Sequence, residues 1–274
     1  MKLRTGRIVS YLFLIIYALL IVYPLLFLFF SSMKTNDAIF LTPFAPPTAI
    51  DFSSYVKVWT QFRLGEYFLN SVYYAGIATF AVVLISSMAA YAIVRMKWKL
   101  KGFVFGLILI GLMVPFHSQL VPIYILLTKI GLREPRVALP LVYVAFAMPI
   151  TVFIVSGYFR TIPRALEESA VIEGASLVRS FFTIILPIAR PAIATVLIFD
   201  FITIWNDFFA ALVFVTREAD KTLQVAVAGL KGVFVTRYSD LLAAVIIALV
   251  PSALVYILLQ DKIVEGMTAG AVKG

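Results

Sequence analysis

Long apolar runs, separated by shorter polar stretches, make up most of this sequence. An α-helix needs about 20 apolar residues to cross the roughly 30 Å hydrocarbon core of a bilayer. Six runs reach or approach this length, at positions 8–30, 66–94, 102–127, 136–159, 192–215 and 241–259. We therefore predict an all-α integral membrane protein with six transmembrane helices, which form a single domain over residues 1–274.

Prolines and polar connections refine this pattern. Pro115 and Pro122 interrupt the third run and each removes a backbone donor, so we expect that helix to bend or break. The proline-rich connection 31–65 is predicted to carry little regular structure, and residues 260–274 are predicted to form a short tail. The first run exceeds the roughly 7 to 15 apolar residues of a signal peptide, which favours an uncleaved first helix.

Segment 160–190 is amphipathic and too short and polar to cross the bilayer, which predicts two short helices at the membrane surface. Thr161 is the predicted N-cap of the first helix, and Gly174 is predicted to end it by adopting a positive φ. Ser176 is the predicted N-cap of the second helix, which should end at Pro187. The apolar residues of this second helix share one predicted face: Leu177, Phe181, Ile184 and Ile185.

Composition and charge agree with a membrane protein, because the sequence is 62% hydrophobic and only 14% charged. The net charge is +9, but the cations cluster at the ends of apolar runs, which indicates the membrane surface rather than nucleic acid as their partner. Thirteen of the 23 Lys and Arg residues lie in the amino end, the 95–101 loop, segment 160–190 and the tail, so we predict that these regions, including both termini, face the cytoplasm. The chain has no cysteine, and no residue cluster with ligand spacing predicts a metal site.

The fifth apolar run contains two carboxylates, which are costly at membrane depth and need an explanation. Asp200 and Asp207 are seven residues apart, so a continuous helix would place them on one stripe. Trp205 and Asn206 adjoin Asp207, and an aromatic ring beside amide and carboxylate groups suits the hydroxyls and apolar faces of sugar rings. We predict that these four residues line a substrate path. The alternative is that either carboxylate caps or pairs with a neighbouring helix.

Two other functional classes are alternatives to transport of a sugar along this path. His117, the only histidine, could act with Asp207 in a proton-coupled secondary carrier, although a lone histidine favours a packing role. A membrane enzyme could use Asp200 and Asp207, but about 10 Å of helix would separate them and no further catalytic group accompanies them. The sequence has no phosphate-binding loop, nucleophile elbow or zinc-protease motif, which predicts that any ATP hydrolysis belongs to another chain.

Segment 160–190 also carries a family motif. Glu168, Ser169 and Ala170 are followed after three residues by Gly174, and after nine more by the sequence Ile184-Ile185-Leu186-Pro187. This spacing resembles the EAA motif of ABC importer permeases, with Ser169 in place of the usual alanine and Glu173 in place of the usual aspartate. The resemblance extends over nearly the whole chain, through Asn70-Ser71, Ala90-Tyr91-Ala92, Pro115 with Pro122, Trp205-Asn206-Asp207 and 266–274.

Together these stretches resemble the smaller permease subunit of carbohydrate ABC importers of the maltose type, which are located in the bacterial inner membrane. The resemblance implies the type I permease fold and a non-catalytic subunit without a cofactor of its own. It implies as partners a second homologous permease, two ATPase subunits that bind ATP and Mg²⁺, and an external sugar-binding protein. A non-sugar solute such as glycerol phosphate is the alternative cargo.

The resemblance further implies how the chain meets its partners. The glycine-rich tail is expected to reach between the ATPase subunits. Segment 160–190 is expected to couple the permease to the ATPase, and the residues implied in this coupling are Glu168, Ser169, Ala170, Glu173, Gly174, Ile184, Leu186 and Pro187.

Overall fold

A computed structural model describes residues 2–230 and 237–271, with side chains over 7–230 and 237–260. Every regular element in these ranges is helical. The α-helices in chain order are α1 Lys2–Ser31, α2 Asn36–Leu41, α3 Ser53–Thr60, α4 Leu64–Arg95, α5 Lys101–Ile110, α6 Phe116–Lys129, α7 Pro135–Phe159, α8 Ala165–Ile172, α9 Leu177–Ser180, α10 Leu186–Ile188, α11 Arg190–Trp205, α12 Phe209–Phe214, α13 Leu223–Gly229 and α14 Tyr238–Ala271. A π-helical turn, Phe181–Ile185, joins α9 to α10.

Several of these helices are long and apolar enough to cross a membrane. Two further candidates are bent pairs, Lys101–Met113 with Phe116–Lys129 at 107°, and Leu177–Ile188 with Arg190–Trp205 at 80°. By length and composition, the described residues therefore contain four to six spans, which agrees with a multi-pass membrane protein. The four single helices are Arg7–Ser31, Leu64–Arg95, Pro135–Phe159 and Tyr238–Gln260.

The chain forms two compact units, Met1–Glu66 with Ala226–Val250, and Tyr67–Val225 with Pro251–Gly274. In the first unit, α1 exposes its apolar side chains along nearly its whole length. Such a surface is expected of a helix that lipid or a partner covers. Within the same unit, Lys57 of α3 forms an ion pair with Asp240 in the first turn of α14.

The prediction of little regular structure over 31–65 is wrong, because α2 and α3 form there. The Thr35 side chain caps α2 by accepting a hydrogen bond from the Ala38 amide at 3.4 Å. Just before α3, the Asp51 carboxylate accepts from the Ser53 amide at 2.8 Å, which lowers the pKa of Asp51 below its ordinary value. Short polar side chains thus satisfy free amides at helix starts, and this allows even short helices to form.

In the second unit, α4 and α7 run in the same direction. Near their beginnings, the Tyr73 hydroxyl donates to the Arg136 carbonyl at 3.3 Å. At their other ends, the Arg95 guanidinium donates to the Phe159 carbonyl at 2.8 Å. The chain between them, which contains α5 and α6, therefore returns from the end of α4 to the level at which α4 began.

The predicted third span breaks at Pro115. A residue before proline is driven towards extended backbone by a clash with the proline ring, and Val114 adopts φ −92° and ψ 121°. α5 and a 3₁₀ turn therefore end there, and α6 begins at Phe116 with the large bend described above. Pro122 does not break the chain again, because it lies within α6.

The predicted fifth span, 192–215, is likewise not one helix. α11 ends at Trp205 and α12 begins at Phe209. The sequence predicted that Asp200 and Asp207 share one stripe of a continuous helix. This prediction is wrong, because the helix ends between them. The sixth predicted span, 241–259, forms part of α14, whose backbone stays helical through the predicted tail to Ala271. Residues 272–274, and the tail side chains from position 261 onward, lie outside the described residues.

Candidate functional site

The first helix of segment 160–190 is α8, and it ends in the turn that the sequence predicted. Gly174 adopts φ +82°, the left-handed conformation that favours glycine. Its amide donates to the Val171 carbonyl at 3.0 Å, and the Ala175 amide donates to the Ala170 carbonyl at 2.9 Å. This pair of bonds is the Schellman motif, which satisfies the last carbonyls of the helix and turns the chain sharply.

The predicted cap at Ser176 is confirmed, whereas the cap at Thr161 is wrong. The Ser176 side chain accepts from the Arg179 amide at 3.3 Å at the start of α9. The Thr161 hydroxyl instead donates to the Tyr158 carbonyl at 2.8 Å, so it closes the end of α7. α8 begins four residues later, after Arg164, and no side chain caps it.

The second helix of the segment differs in detail from its prediction. Phe181 and Ile185 are buried, and Ile184 is half-buried, as one apolar face requires. Leu177 is 51% exposed, because it lies in the first turn before the helix meets the rest of the unit. The helix does not end at Pro187: a proline is tolerated in the first turn of α10, which continues to Ile188.

Arg95, the last residue of α4, anchors this segment to the spans. Its Nε lies 3.0 Å from Oε2 of Glu167 in α8, and its side chain is only 5% exposed. One Nη2 atom donates to the Phe159 carbonyl at 2.8 Å and to the Ile162 carbonyl at 2.7 Å. A single guanidinium therefore joins the ends of α4 and α7 to α8. Five donors in a planar fork make arginine suited to such a junction.

An apolar cluster supports the same junction. Tyr91 of α4 packs against Phe181 of the π-helical turn, with ring centroids 5.2 Å apart. Phe159 at the end of α7 and Ile185 are fully buried in this cluster. The second helix of the segment is therefore held against α4 and α7 by packing, while α8 is held by the Arg95 ion pair.

The opposite face of the segment is open in this chain. Glu168, Ser169 and Glu173 are exposed, whereas Ala170 faces inward. Beside these polar groups, Ile172 is 87% exposed and Val178 is 67% exposed. An exposed surface that combines large apolar side chains with carboxylates is typical of a protein contact site.

Asp200 is buried in α11 and faces α7. Thr151 donates a hydrogen bond to its Oδ2 at 2.9 Å. Its other oxygen, Oδ1, has no hydrogen-bond partner among the described residues. This carboxylate thus lies between two helices of one chain and pairs with Thr151 of the neighbouring helix. Such pairing is the alternative to a role in a substrate path.

Asp207 lies in the break between α11 and α12. Its Oδ2 accepts from the Tyr143 hydroxyl at 2.9 Å and from the Ala211 amide at 3.1 Å. Asp207 therefore acts as a cap, because it accepts a hydrogen bond from an otherwise free amide in the first turn of α12. Tyr143 belongs to α7, so both Asp207 and Asp200 contact that helix, and their order along it makes α11 antiparallel to α7.

The two residues before Asp207 have different surroundings. Trp205 is 1% exposed, and its ring packs edge-on against Phe68 at 5.5 Å. Asn206 is exposed and caps α11 by donating to the Ile202 carbonyl at 2.8 Å. Of the four predicted path residues, Asn206 and the half-buried Asp207 present polar atoms at a surface of this chain.

His117 lies in the first turn of α6, where it is exposed on one side and contacts two aromatic rings on the other. Its ring is edge-on to Phe209 at 4.8 Å and to the adjacent Phe116 at 5.3 Å. This arrangement is typical of a packing histidine. Across the described residues, no group of three or more His, Cys, Asp or Glu side chains is arranged to hold a metal ion.

A comparison with protein families shows which family this chain matches. Residues 81–268, which include α7, the Arg95 junction and segment 160–190, match the family of binding-protein-dependent transport system inner membrane components. The chain belongs to this family. As an inner membrane component it is part of a transport system in the membrane rather than an enzyme.

Other inner membrane components of known systems are similar over most of their length. The chain is 34% identical over 264 residues to the diacetylchitobiose uptake system permease protein NgcG of Streptomyces coelicolor, which covers 96% of this chain and 87% of that protein. It is 33% identical over 229 residues to the melibiose/raffinose/stachyose import permease protein MelC of Bacillus subtilis, with 83% of each chain covered. It is 35% identical over 228 residues to the trehalose/maltose transport system permease protein MalG of Thermococcus litoralis, with 81% of each covered.

The fold of this inner membrane component is also similar to a solved structure. A chain of a bacterial ABC transporter involved in the import of the acidic polysaccharide alginate superposes with a TM-score of 0.86. The superposition covers 94% of this chain and 96% of the other, at 22% sequence identity. At this identity the similarity supports the fold of an ABC importer permease.

Sequence reasoning missed one residue that organises the site. In the sequence, Arg95 counts only among the cations of the 95–101 loop, although one feature indicates a further role. Arginine at the last position of a helix is well placed to bond carbonyls, and the other three cations of the 95–101 loop are lysines.

Proposed function

We propose that this chain is one of two permease subunits of an ATP-driven, binding-protein-dependent sugar importer of the bacterial inner membrane. In this proposal it forms half of the translocation pathway, and two separate ATPase subunits bind ATP and Mg²⁺. The three relatives described above are named for sugars from disaccharides to a tetrasaccharide, which supports a sugar as the cargo. A second solved alginate importer contains an oligosaccharide-bound periplasmic protein, which supports an external binding protein as a partner.

We further propose six spans, with the α5–α6 pair and the α11–α12 pair each crossing the membrane once. Lys101 at the start of α5 lies beside Arg95, whereas Arg136 at the start of α7 lies beside Tyr73 at the opposite end of α4. The α5–α6 pair thus connects the two ends of α4. The α11–α12 pair returns along α7 from the level of Phe159 to the level of Tyr143 and beyond.

The Arg95 end of the second unit is proposed to face the cytoplasm, with both termini on that side. Arg95 and the cations of its loop lie at the same end of the unit as Arg160 and Arg164. Cytoplasmic segments are enriched in Lys and Arg, so this shared position supports the orientation. The tail of α14, which the resemblance directs towards the ATPase subunits, is proposed to lie on the same side.

Segment 160–190 is proposed to be the coupling element, and its construction carries the proposal. It is a unit of two capped helices with an open outer face, and its inner face is attached to the ends of α4 and α7. When the ATPase subunits close, a displacement of such an element would move these spans together, so the cavity between permeases would open alternately to each side. The proposed ATPase-coupling residues are Glu168, Ser169, Ala170, Glu173, Gly174, Ile184, Leu186 and Pro187.

The proposed substrate path passes Asn206 and Asp207 at the break between α11 and α12, with Trp205 and Asp200 as its buried support. Discontinuous helices at mid-membrane supply polar groups to substrates in other transporters. In this arrangement Trp205 acts by fixing the break through its packing on Phe68, and Asp200 acts by fixing α11 against Thr151.

The test is uptake of radiolabelled sugar by vesicles that contain the chain with its co-expressed partner subunits. Uptake should require ATP and the binding protein, and it should survive an uncoupler that collapses the proton gradient. Glu168→Lys should abolish uptake while the protein stays in the membrane, because it reverses the charge of the exposed docking face. Asp37→Lys makes the same charge change at an exposed carboxylate of α2 and should leave uptake close to that of the wild type.

Two results would contradict the proposal. Sugar accumulation by the purified chain without any ATPase would show that the energy comes from elsewhere. Loss of uptake with the uncoupler alone would instead support a proton-coupled carrier that uses His117 and Asp207.

A further inference from the structure

A basic cavity lies where α4 ends, α5 begins and α7 joins α8. Its volume is about 510 Å³, and no acidic side chain is among its lining residues. Four cations line it, which is an unusual concentration of like charge around one space. They are Arg95, Lys101, Arg160 and Arg164.

Only one of these cations is neutralised within the described part of the chain. Arg95 pairs with Glu167. The Arg164 guanidinium reaches only the Val94 carbonyl at 3.5 Å, and the Arg160 guanidinium lies over the Phe105 ring at 5.5 Å from its centroid. Lys101, Arg160 and Arg164 have no carboxylate partner over residues 7–230 and 237–260. Three converging cations repel each other, and an anion between them removes this repulsion and gains charge-assisted hydrogen bonds.

The exposed surface of α5 beside the cavity is apolar. Phe103 is 70% exposed, and Leu100 and Leu107 are exposed on either side of it. Gly102 lines the cavity, is itself exposed and directly precedes Phe103, so the cationic lining and the exposed apolar surface of α5 adjoin there. An occupant that satisfies both surfaces has an anionic head and an apolar tail. A soluble anion would satisfy only the cavity.

We propose that this cavity binds the headgroup of an anionic phospholipid, whose acyl chains lie along the exposed side chains of α5. Basic pockets between transmembrane helices on the cytoplasmic side suit such headgroups, because guanidinium and ammonium donors match phosphate oxygens. The inference rests on the proposed membrane placement, in which this end faces the cytoplasm. The bound lipid bridges α5 to the 160–164 link beside Arg95, so it stabilises the attachment of the coupling element.

Lipid retention by the assembled transporter tests the site without measuring transport. The chain is purified with its co-expressed partner subunits, stripped with detergent and titrated with phosphatidylglycerol, and the bound lipids are counted by native mass spectrometry. The test variant is Lys101→Gln with Arg160→Gln. The control is Lys97→Gln with Lys99→Gln, which removes the same total charge, from the loop that carries Lys101 but from residues that do not line the cavity.

The wild type and the control should retain one phosphatidylglycerol that phosphatidylcholine does not replace. In the test variant its affinity should fall roughly thirtyfold, on the scale of one cation–headgroup attraction for each cation removed. Equal weakening in both variants would overturn the site, because it would indicate diffuse attraction to the loop. Absence of retained lipid in the assembled wild type would also overturn it, since a partner subunit would then occupy the cavity.

Inorganic phosphate distinguishes the source of the anion. Phosphate at millimolar concentration should not displace the phospholipid, because it lacks the apolar contacts along α5. Full displacement would overturn the lipid assignment and leave a site for soluble phosphate. Sugar uptake by the same preparation reports separately on the proposed function, so a failed lipid titration with normal uptake would reject only this inference.

Discussion

The two ends of the helix pair α4 and α7 are built in different ways. The Asp220 end, defined here by Asn70, Tyr74, Arg136, Arg217 and Asp220, is joined by several independent bonds. The Arg95 end, defined by Arg95, Phe159, Ile162 and Glu167, is joined in its polar part mainly by the Arg95 guanidinium, and Arg164 adds one longer bond to the Val94 carbonyl at 3.5 Å. The polar contacts of one end can therefore lose a member and keep their geometry, whereas those of the other depend mainly on one side chain.

At the Asp220 end, two cations share one buried carboxylate. Arg136 Nε lies 3.2 Å from Oδ1 of Asp220, and Arg217 pairs with Oδ2 of the same residue. Arg217 also pairs with Glu134 at 2.5 Å. These bonds join the start of α7 to the connection between α12 and α13, and Tyr74 adds a bond from α4 to the Asp220 carbonyl at 3.2 Å.

The difference fits a subunit that receives force at one end only. A redundant network holds the helices in fixed register, because each bond is backed by another. A junction through one group moves as a unit, so a displacement of α8 reaches α4 and α7 together. We infer that the Asp220 end acts as the fixed end and the Arg95 end as the driven end of this pair.

The largest expected effect comes from removing the guanidinium at the driven end. Arg95→Leu leaves the half-buried Glu167 carboxylate without its cation and removes one donor from each of two carbonyls, of which Phe159 keeps only the Ile162 amide at 3.3 Å, so it should cost about 3 kcal/mol of stability. Sugar uptake should be lost, and ATP hydrolysis by the assembled transporter should no longer depend on the sugar-bound binding protein. Thermal melting, uptake and ATPase assays measure these three quantities.

Arg217→Leu is the matched control at the fixed end. Its side chain is 55% exposed, and Asp220 keeps its bond to Arg136, so the Tm and uptake should stay near those of the wild type. Arg95→Lys should recover part of the Tm but little of the uptake, since one ammonium cannot reproduce a planar guanidinium that combines an ion pair with two hydrogen bonds. Equal losses in Arg95→Leu and Arg217→Leu would remove the distinction between the ends.

The next largest effect is expected at Gly174 and not at Gly131, although the turns at these two glycines have the same geometry. Gly131 adopts φ +84° after α6, and its turn has the same two bonds as the Gly174 turn, at 3.2 and 2.8 Å. A Cβ at either glycine would meet no atom within 4 Å, so alanine costs only backbone strain, about 2 kcal/mol in each case. Both variants should lower the Tm by a similar amount. Gly174→Ala should in addition lower the sugar transported per ATP severalfold, whereas Gly131→Ala should leave this ratio unchanged.

A fall in the transport ratio for both glycine variants would contradict the assignment. It would show that any loss of stability disturbs coupling, and that the position of the turn is not important. Uptake and hydrolysis must therefore be measured on the same vesicles, at a temperature well below either Tm.

The features that sequence reasoning predicted correctly are those that short-range chemistry determines. Gly174 and Ser176 act through residues within five positions of themselves, and the apolar length of a run decides whether it can span a bilayer. The break at Pro115 is equally local, because the proline ring acts on the residue before it. Membership of the permease family was also predicted, since the motif around Gly174 has a fixed spacing.

The features that it missed depend on contacts between distant segments. Arg95 meets Glu167 across 72 positions (167 minus 95), and no periodicity within α4 indicates that partner. The break after Trp205 has no proline or glycine, and it is stabilised by Tyr143 of another helix. Thr161 has the residue type of an N-cap, but α7 continues far enough to use its hydroxyl at the helix end.

A smaller effect is expected from the bonds that attach α4 to the fixed end. Asn70 donates to the Ala219 carbonyl at 2.8 Å and to the Lys221 carbonyl at 3.0 Å. Asn70→Leu removes both bonds and should lower stability by about 1.5 kcal/mol, while the sugar transported per ATP stays at the wild-type value. Tyr73→Phe, which loses one exposed bond at 3.3 Å, should change the Tm much less. Loss of coupling in Asn70→Leu would show that this end also takes part in transmission.

The smallest effect compares the two caps that the sequence predicted for the coupling element. Ser176→Ala removes the acceptor for the Arg179 amide and should cost about 1 kcal/mol, with a modest loss of uptake, whereas Ser176→Asp keeps an acceptor and should retain both. Thr161→Ala removes a donor whose acceptor, the Tyr158 carbonyl, also receives the Thr161 amide at 2.9 Å. Its Tm should therefore stay closer to the wild type. A larger loss of Tm in Thr161→Ala than in Ser176→Ala would contradict this expectation. It would show that the start of α8 depends on Thr161, as the sequence predicted, and that the driven end begins one turn before Arg164.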